Sequence, residues 1–386
     1  MAVSLEFQFH PRIADIPSAT WNVLVNNASP FLQHEFLLAL EDSGSVSALT
    51  GWQPHHLLVL RGEQAVAALP LYIKGHSYGE YVFDWSWADA YRQNGRRYYP
   101  KFLSAVPFTP SYATRLLIAS DEDFDAIGKA ISEAVIEEAK RLKMSSWHVL
   151  FPSERESKLL AAQGVHQRIA TQFHWFNRGY TSFEHYLESF SSRKRKNLRK
   201  ERRAVQDANI QFQRYTGTQI SVHLWEVFYR FYQNTYQVRG QQAYLDLSFF
   251  TQLGETLPEN LLLVLALHEG QPIAAALSLR DEKKLYGRYW GCQQEYQFLH
   301  FETCYYQGIE YCIEYRLESF DSGAQGEHKI QRGFEPIMTY SNHWIGDPQF
   351  DVAIANYLRE EQDYIHEYRD QASAMLPFKA PSSAGS

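Results

Sequence analysis

Val264-Leu-Ala-Leu-His-Glu-Gly-Gln-Pro-Ile-Ala-Ala-Ala-Leu-Ser-Leu279 is the stretch that decides the fold, because it repeats a pattern found 207 residues earlier. The earlier copy is Leu57-Leu-Val-Leu-Arg-Gly-Glu-Gln-Ala-Val-Ala-Ala-Leu-Pro-Leu-Tyr72. Each copy predicts a strand, a tight polar turn and a second strand. One unit repeated at long spacing is typical of a duplicated domain.

The segments that follow the two hairpins repeat as well. Tyr78-Gly-Glu-Tyr81 comes after the first hairpin and Tyr286-Gly-Arg-Tyr289 after the second, and each is predicted to open a third strand. A long helical pattern and a short strand then follow in both halves. These elements are Phe124–Lys143 and Trp147–Phe151 in the first half, and Glu302–Arg316 and Ser319–Ser322 in the second. The sequence therefore predicts two related α+β halves.

A strongly basic segment, Ser191-Ser-Arg-Lys-Arg-Lys-Asn-Leu-Arg-Lys-Glu-Arg-Arg203, joins the halves. From residue 193 to residue 203 it contains eight basic residues and one acidic residue, whereas the net charge of the whole chain is −7. Serine N-cap oxygens followed by good helix formers predict a helix. Because such a local positive field attracts phosphates, we take Arg195, Lys196 and Arg199 as candidate phosphate-binding residues.

Length and composition exclude several classes of protein. A chain of 386 residues with 45% hydrophobic and 21% charged residues predicts two globular domains. The longest apolar runs, Ala65–Ile73 and Leu261–Leu267, are well below the roughly 20 residues of a membrane-spanning helix. No nucleophile elbow, phosphate-binding loop or metal-ligand spacing occurs. With three cysteines and no visible secretory signal, we expect a cytoplasmic protein without a metal.

Several longer strings resemble a known family. They include Phe83-Asp-Trp-Ser-Trp-Ala-Asp-Ala-Tyr91, Tyr98–Pro110, the basic segment, His300–Glu310 and His328-Lys-Ile-Gln-Arg-Gly-Phe334. They look like an uncharacterised bacterial family, described as peptidoglycan biosynthesis or recognition proteins, of predicted N-acyltransferases. That family in turn resembles Fem-type peptidyltransferases, which carry two GNAT-like domains in tandem and a basic segment between them.

The resemblance implies an α+β fold of two GNAT-like domains with mixed central sheets flanked by helices. The implied divisions are an N-terminal domain over residues 1–180, a basic linking helix over 181–208, a C-terminal domain over 209–376 and a flexible tail over 377–386. It also implies an acyl donor, either acyl-CoA or aminoacyl-tRNA. The loop Gly291–Leu299 has a single glycine, so it departs from the glycine-rich loop with which GNAT enzymes bind the pyrophosphate of acetyl-CoA.

Acyl transfer to an amine needs a proton acceptor, oxyanion stabilisation and a donor for the leaving group. His300 and Glu302, at the start of the helix after the central strand, are candidate bases. Asp321 ends an apolar strand, and Lys329 matches the Fem-type lysine that follows an Asp-x-Gly strand end. Two candidate substrate-binding residues, Arg332 and Tyr289, lie in the same region of the sequence.

The first half offers aromatic and polar residues that suit sugar or peptide binding. Asp84, Tyr91 and Lys101 are candidate substrate-binding residues of an acceptor cleft. We expect an N-acyltransferase acting on an amine of a phosphate-bearing acceptor, for example a peptidoglycan precursor. Two alternatives stay open: a non-catalytic recognition module for cell-wall peptide or anionic lipid, and an RNA-binding protein. The basic helix fits tRNA or an inner-membrane surface as partners equally well.

Overall fold

The computed structural model describes residues 4–26, 29–324 and 326–379. They form two compact units. Unit 1 comprises the described residues up to Thr171 together with Met338–Glu367, and unit 2 comprises Gln172–Ile337 and the described residues from Tyr368 onwards.

The strands and helices are as follows in chain order. The strands are β1 (Leu5–His10), β2 (Trp52–Pro54), β3 (His56–Arg61), β4 (Gln64–Leu69), β5 (Tyr72–Lys74), β6 (Lys101–Ser104), β7 (Leu117–Ile118), β8 (Ser146–Leu150), β9 (His166–Phe176), β10 (Ile210–Thr216), β11 (Leu261–His268), β12 (Gln271–Arg280), β13 (Lys284–Cys292), β14 (Ser319–Asp321) and β15 (Glu335–Ile345). The α-helices are α1 (Ser18–Val25), α2 (His34–Asp42), α3 (Trp85–Gln93), α4 (Phe124–Arg141), α5 (Glu154–Ala162), α6 (Phe183–Glu188), α7 (Ser192–Asp207), α8 (Val222–Gln237), α9 (Leu247–Thr256), α10 (Leu299–Phe301), α11 (Gln307–Glu314) and α12 (Pro348–Ala374). A π-helix, Glu302–Tyr306, joins α10 to α11, and a 3-10 helix, Glu327–Arg332, precedes β15.

The two hairpins of the sequence repeat have the same strand register. In unit 1, β3 pairs with β4 so that Val59 faces Ala67, and a bulge shifts the next pair to Leu60 and Ala65. In unit 2, β11 pairs with β12 so that Ala266 faces Ala274, and a bulge shifts the next pair to Leu267 and Pro272. Every partner differs by 207 residues between the units. Because a bulge inserts an extra residue at one defined place, an identical bulge in both hairpins supports a common origin.

After the hairpin, unit 1 departs from unit 2. Strand β12 is continuous, whereas its counterpart in unit 1 is divided into β4 and β5 around Pro70, which has no backbone N–H to give to a ladder. The prediction that Tyr78–Tyr81 opens a strand is wrong. Gly79 and Tyr81 have φ values of +80° and +61°, which are incompatible with a strand. The place of β13 is taken in unit 1 by β6.

Corresponding strand pairs place corresponding residues at the centre of each unit. In unit 2, β14 runs parallel to β13 and antiparallel to β9, which sets Asp321 opposite Tyr286 and His174. In unit 1, β8 runs parallel to β6 and antiparallel to β15, which sets His148 opposite Leu103 and His343. Asp321 and His148 therefore occupy equivalent positions.

The units do not divide the chain at the residues that the sequence suggests. Strand β9 begins in unit 1 and ends in unit 2, β15 does the reverse, and most of α12 returns to unit 1. The predicted linking helix is α7, which belongs to unit 2. Its two buried residues, Leu198 and Val205, are both apolar.

Part of the predicted flexible tail is ordered by β pairing. Phe378 forms an isolated antiparallel bridge with Phe190, and the backbone N–H groups of Ser191 and Lys379 complete it. The rest of the predicted tail, 380–386, lies outside the described residues.

Each unit has its own hydrophobic core. In unit 1, the core lies between the strands and α4, with Trp147, Phe102 and Ile131 at its centre. In unit 2, one core lies between the strands, α6 and α11, with Trp175, Tyr306 and Phe320 fully buried. Phe320 packs so closely that a Cβ at Gly308 would lie 2.5 Å from its ring. This packing fixes β14, whose last residue leads into the candidate site.

Candidate active site

Two parallel strands separate at the centre of unit 2. Strands β13 and β14 pair over three residues, after which β14 ends at Asp321 and β13 continues to Cys292. Glycines lie on both sides of the separation, at positions 287 and 323. A Cβ at Gly323 would have no neighbour closer than the Gly287 carbonyl oxygen at 3.8 Å. The separation is therefore bordered by backbone and leaves room for a ligand.

Asp321 is buried and bound to an arginine. Arg288 donates from Nη2 to Oδ2 at 2.6 Å and from Nη1 to Oδ1 at 3.2 Å, and the Gly323 N–H donates to Oδ1 at 2.9 Å. Burial alone would raise the pKa of Asp321, but Arg288 and His174 lower it well below the ordinary range. The carboxylate therefore stays ionised and is committed to Arg288, so the geometry does not favour it as a proton acceptor.

Lys329 reaches the same place from the 3-10 helix. Its Nζ donates to the carbonyl oxygens of Ser322 at 3.0 Å and Gly323 at 2.8 Å. The third N–H has no acceptor within the part of the chain that the structure describes. Burial lowers the pKa of Lys329 to about 8, although Asp321 acts in the opposite direction. Nearby, the buried Ser322 hydroxyl has no hydrogen-bond partner among the described residues.

An imidazole cluster lies beside the lysine. His300 packs edge-on against Trp290 and Tyr305, at ring-centroid distances of 5.2 and 5.3 Å. Burial, together with the neighbouring His328 and Lys329, lowers the pKa of His300 to about 4, so its ring is neutral at physiological pH. His328 Nε2 bonds to the Tyr305 hydroxyl at 2.9 Å. His300 is therefore an uncharged base close to a buried ammonium group.

Glu302, the second predicted base, is engaged elsewhere. Its two carboxylate oxygens accept from Arg202 Nη2 at 2.8 Å and Nε at 3.0 Å, and Gln307 Nε2 donates to it at 2.9 Å. Arg202 comes from α7 and also binds Glu310 at 2.6 Å. These contacts hold α7 on the π-helix, so the geometry favours a structural role for Glu302 over a catalytic one.

The basic helix α7 borders a surface groove of about 1230 Å³. Arg195, Lys196, Lys200 and Arg203 line it and have no anionic partner among the described residues. Arg199 also lines the groove but is paired with Glu184. The candidate phosphate-binding residues thus share a concave surface with unneutralised positive charge.

Two predicted substrate-binding residues of unit 2 make internal contacts. The Arg332 guanidinium binds both carboxylate oxygens of Glu201 at 2.8 Å and lies 3.4 Å from the centroid of the Phe301 ring. Tyr289 is buried, and its ring packs edge-on against Tyr232 and Phe250. Neither side chain faces the basic groove.

In unit 1, the three predicted substrate-binding residues are buried. Lys101 Nζ donates to Asp84 at 2.5 Å, Glu80 at 2.8 Å and Ser77 at 2.9 Å. The Tyr91 ring stacks on Phe350 at 3.8 Å. Asp84 and Lys101 neutralise each other, so these residues form part of the interior and not an open cleft wall.

The chain matches the FemAB-like family, described as peptidoglycan biosynthesis/recognition, over residues 12–380. The chain belongs to this FemAB-like family. The match covers nearly the whole sequence, so the resemblance seen in the strings from Phe83 to Phe334 is confirmed. No curated protein sequence matches the chain.

Solved structures share the FemAB-like chain's fold at low sequence identity. FemX has 13% identity and a TM-score of 0.54, over 91% of this chain and 100% of FemX. The C-terminal domain of a putative lysylphosphatidylglycerol synthetase from Agrobacterium fabrum has 9% identity and a TM-score of 0.56, over 89% of this chain and 95% of that domain. A tandem GNAT protein from the clavulanic acid biosynthesis pathway aligns at 12% identity and a TM-score of 0.45, over 89% of this chain and 99% of that protein. The likeness to FemX confirms the predicted Fem-like α+β fold.

Residues 4–26, 29–324 and 326–379 of this FemAB-like chain contain no group of three or more His, Cys, Asp or Glu side chains able to hold a metal ion. None of the described helices combines the length and the apolar character needed to cross a bilayer.

Sequence reasoning missed four residues of this FemAB-like site: His174, Arg288, Ser322 and Tyr305. Arg288 could have been predicted from the sequence. It is the variable residue of Tyr-Gly-Arg-Tyr, and a charge inside a predicted strand needs a partner. The others gave no signal, since their importance comes from β9, β14 and the π-helix meeting in space.

Proposed function

We propose that the protein is an N-acyltransferase that moves an acyl or aminoacyl group onto an amine of a phosphate-bearing acceptor, such as a peptidoglycan precursor. One observation carries the proposal. The Lys329 ammonium group has an unused N–H beside the unpartnered Ser322 hydroxyl, where Gly323 leaves space at the end of β14. A fixed donor in a water-poor site is what a developing oxyanion requires.

The chemistry assigns one task to each group. The acceptor amine attacks the donor carbonyl carbon, a C–N bond forms, and the C–S or C–O bond to the leaving group breaks. The N–H of Lys329 stabilises the negative charge on the carbonyl oxygen. The neutral His300 ring takes the proton of the attacking amine, directly or through water, and passes it to the leaving sulfur or oxygen as the C–S or C–O bond breaks. Acyl-CoA or aminoacyl-tRNA supplies the acyl group.

The basic groove is proposed to hold the phosphates of the acceptor. Arg195 and Lys196 lie in it without anionic partners, so an entering phosphate does not have to break an ion pair at either residue. In this proposal binding and chemistry depend on different residues. The cations of α7 bind the acceptor phosphates, and Lys329 and His300 accelerate acyl transfer.

The test is transfer by the purified full-length chain. Acyl-CoAs or aminoacyl-tRNAs are mixed with nucleotide-linked muropeptides, and acyl-shifted products are detected by mass spectrometry. We expect Lys329→Met to lower kcat by about 10²–10³-fold, as loss of an oxyanion donor does in other enzymes. Lys140→Met is the matched control, because Lys140 is an exposed residue near the end of α4. Equal activity of the two variants would contradict the role of Lys329.

A non-catalytic recognition module is the second candidate. The observation that favours it is that Glu302 and Asp321 are both bound to arginines, so neither carboxylate is free to act as a base. Under this function, Lys329→Met leaves muropeptide binding and the cellular phenotype unchanged. Charge reversal at Arg195 and Lys196 removes both.

A further inference from the structure

Helix α7 has a second face, turned towards the protein, that the groove does not use. On that face Lys194 donates to Gln331 Oε1, and Glu201, the acidic residue of the basic run, binds Arg332. Residues 194 and 201 are seven apart, which places them on one side of the helix about two turns from each other. Helix α7 is therefore attached at two points to the 3-10 helix that carries Lys329.

The contact at Glu201 is dense and shielded. Both of its carboxylate oxygens accept from Arg332 Nη2 at 2.8 Å, and the Tyr306 hydroxyl donates to Oε2 as well. The Arg332 side chain is 6% exposed and the Glu201 side chain 17% exposed. A charge-assisted pair with so little solvent is far stronger than a surface ion pair.

Arg332 in turn fixes the backbone that follows Lys329. Its Nη1 donates to the His328 carbonyl oxygen at 2.7 Å, and its own carbonyl oxygen accepts from the Tyr186 hydroxyl at 2.6 Å. The next residue, Gly333, has φ +77°, and a Cβ there would lie 2.1 Å from the Tyr186 hydroxyl. The 3-10 helix is thereby held on both sides, and Glu201 is the anion that neutralises the arginine at its end.

We propose that Glu201 is a positioning residue that sets Lys329 in the transfer site relative to the phosphate groove on the opposite face of α7. The proposal rests on the proposed function for its kinetic consequence, but its structural consequence does not need activity. With Glu201 neutralised, Arg332 has no carboxylate partner, the 3-10 helix loosens and the Lys329 ammonium group loses its fixed position. The groove cations stay in place, because Arg195 and Lys196 do not contact Glu201.

The experiment compares Glu201→Gln with Glu184→Gln, a matched loss of an acidic group that borders the groove and pairs with Arg199. Glu201→Asp keeps the charge and serves as the conservative variant. In Glu201→Gln we expect a fall in kcat of at least tenfold with an unchanged KM for the acceptor, and partial recovery in Glu201→Asp. Glu184→Gln should alter KM and leave kcat within twofold. A kinetic change confined to KM in Glu201→Gln, or equal kcat in both variants, would overturn the proposal.

A second readout separates this proposal from the proposed function. Hydrogen exchange should speed up at least tenfold in Glu201→Gln at the amides of Lys329, Gly333 and Phe334, which bond within the 3-10 turn. Inorganic pyrophosphate, measured by calorimetry, should bind Glu201→Gln at least as tightly as it binds the wild type. If the wild type binds pyrophosphate but transfers no acyl group, the proposed function fails while the exchange result still decides the role of Glu201. Unchanged exchange at these amides would overturn the positioning role whatever the activity.

Discussion

Two buried lysines of this chain have opposite electrostatic surroundings. Lys101 lies between Glu80 and Asp84, and these carboxylates raise its pKa although burial alone would lower it. Lys329 donates to two neutral carbonyl groups, and burial lowers its pKa to about 8. A lysine paired with carboxylates stays protonated and stabilises the fold. A lysine without a direct carboxylate partner can instead gain or lose a proton during a reaction. Of these two lysines, Lys329 is the one whose charge can change during a reaction.

The Lys101→Met variant tests the structural half of that contrast. It leaves Glu80 and Asp84 buried together without the ammonium group that binds them both, so we expect the free energy of unfolding to fall by about 3–5 kcal/mol. Urea denaturation of the full chain measures the loss, with the exposed Lys140→Met as control, which should change stability by less than about 0.5 kcal/mol. A Lys101 variant as stable as the control would mean that water reaches the cluster.

Glu80 predicts a pH dependence of stability. Burial raises its pKa to about 7 from an ordinary value of 4.5, and Lys101 only partly opposes this. Between these two values the folded state holds more protons than the unfolded state, so the free energy of unfolding falls as the pH rises through the window. The contribution amounts to about 3 kcal/mol. Burial lowers the pKa of His148 and His174, and these histidines act in the opposite direction in the wild type and in Glu80→Gln alike. Denaturation at pH 4.5, 6 and 7.5 should therefore show that the stability of the wild type relative to Glu80→Gln falls as the pH rises; a constant difference would contradict the prediction.

At single positions the sequence predicted which residues lie close together better than it predicted which of their atoms are free. His300, Asp321 and Lys329 were all selected, and the structure gathers them around the end of β14. Glu302 and Arg332 were selected for the same reasons, but each is bound to a residue of α7. The charge of a side chain can be read from the sequence, whereas its ion-pair partner, here 100 or 131 residues away, depends on the fold.

At the scale of elements, close helix packing controls the shape of the site. Gly291 in β13 lies directly under α8, and a Cβ there would be 2.0 Å from the Phe231 carbonyl oxygen. Two side chains of α8 also donate hydrogen bonds to the same strand. The Thr235 hydroxyl donates to the Trp290 carbonyl oxygen, and Asn234 Nδ2 donates to the Cys292 carbonyl oxygen. Helix α8 therefore holds the end of β13 after it leaves β14.

The Gly291→Ala variant should displace that helix. The added methyl group meets backbone, which cannot rotate away, so we expect a loss of at least about 3 kcal/mol in the free energy of unfolding. Gly75→Ala is the control, since its nearest neighbour would be the Gly51 Cα at 3.9 Å and its φ is not positive. Thermal unfolding followed by circular dichroism measures both variants, and equal melting temperatures would show that α8 yields easily.

Helices and strands with a strong local sequence pattern were predicted well. Irregularities within helices and the points where the repeat ends were not. The hairpins, α4 and α7 form where the sequence predicts them, although the predicted serine N-cap of α7 makes no side-chain hydrogen bond. The helix predicted over Glu302–Arg316 is in fact a π-helix followed by α11, a change that serves contacts from α7 and has no local signal. The false strand at Tyr78–Tyr81 arose because a true repeat was extended past Pro70, where the two halves diverge.

At the scale of the whole molecule, duplication and strand exchange act together. The hairpin registers agree at every pair, yet each unit borrows a strand segment from the sequence of the other half. Strand β15 pairs with β8 from Ser341 to Ile345, which supplies unit 1 with a neighbour encoded near the end of the chain. Dividing the sequence into two halves cannot detect this exchange, because each exchanged strand segment lies in the sequence beside elements of the other unit.

A fragment of residues 1–180 tests that exchange. It corresponds to the domain predicted from the sequence but lacks β15 and α12, so β8 has an unpaired edge and Trp87 and Tyr91 lose Ile354 and Leu358. We expect no cooperative unfolding transition and rapid proteolysis, whereas the full chain gives a transition under the same conditions. A cooperative transition in the fragment would restore residue 180 as a domain boundary.

The return of β15 and α12 to unit 1 also constrains the order of events during biosynthesis. When Thr171 has left the ribosome, more than 160 further residues must be translated before Met338–Glu367 emerge, which takes roughly 8–40 s at about 5–20 residues per second. Throughout that interval the nascent chain presents the bare edge of β8 and the apolar surface around Trp87. Chaperones that hold unfolded chains can therefore bind these exposed surfaces during that interval, and slower translation beyond Thr171 lengthens the interval.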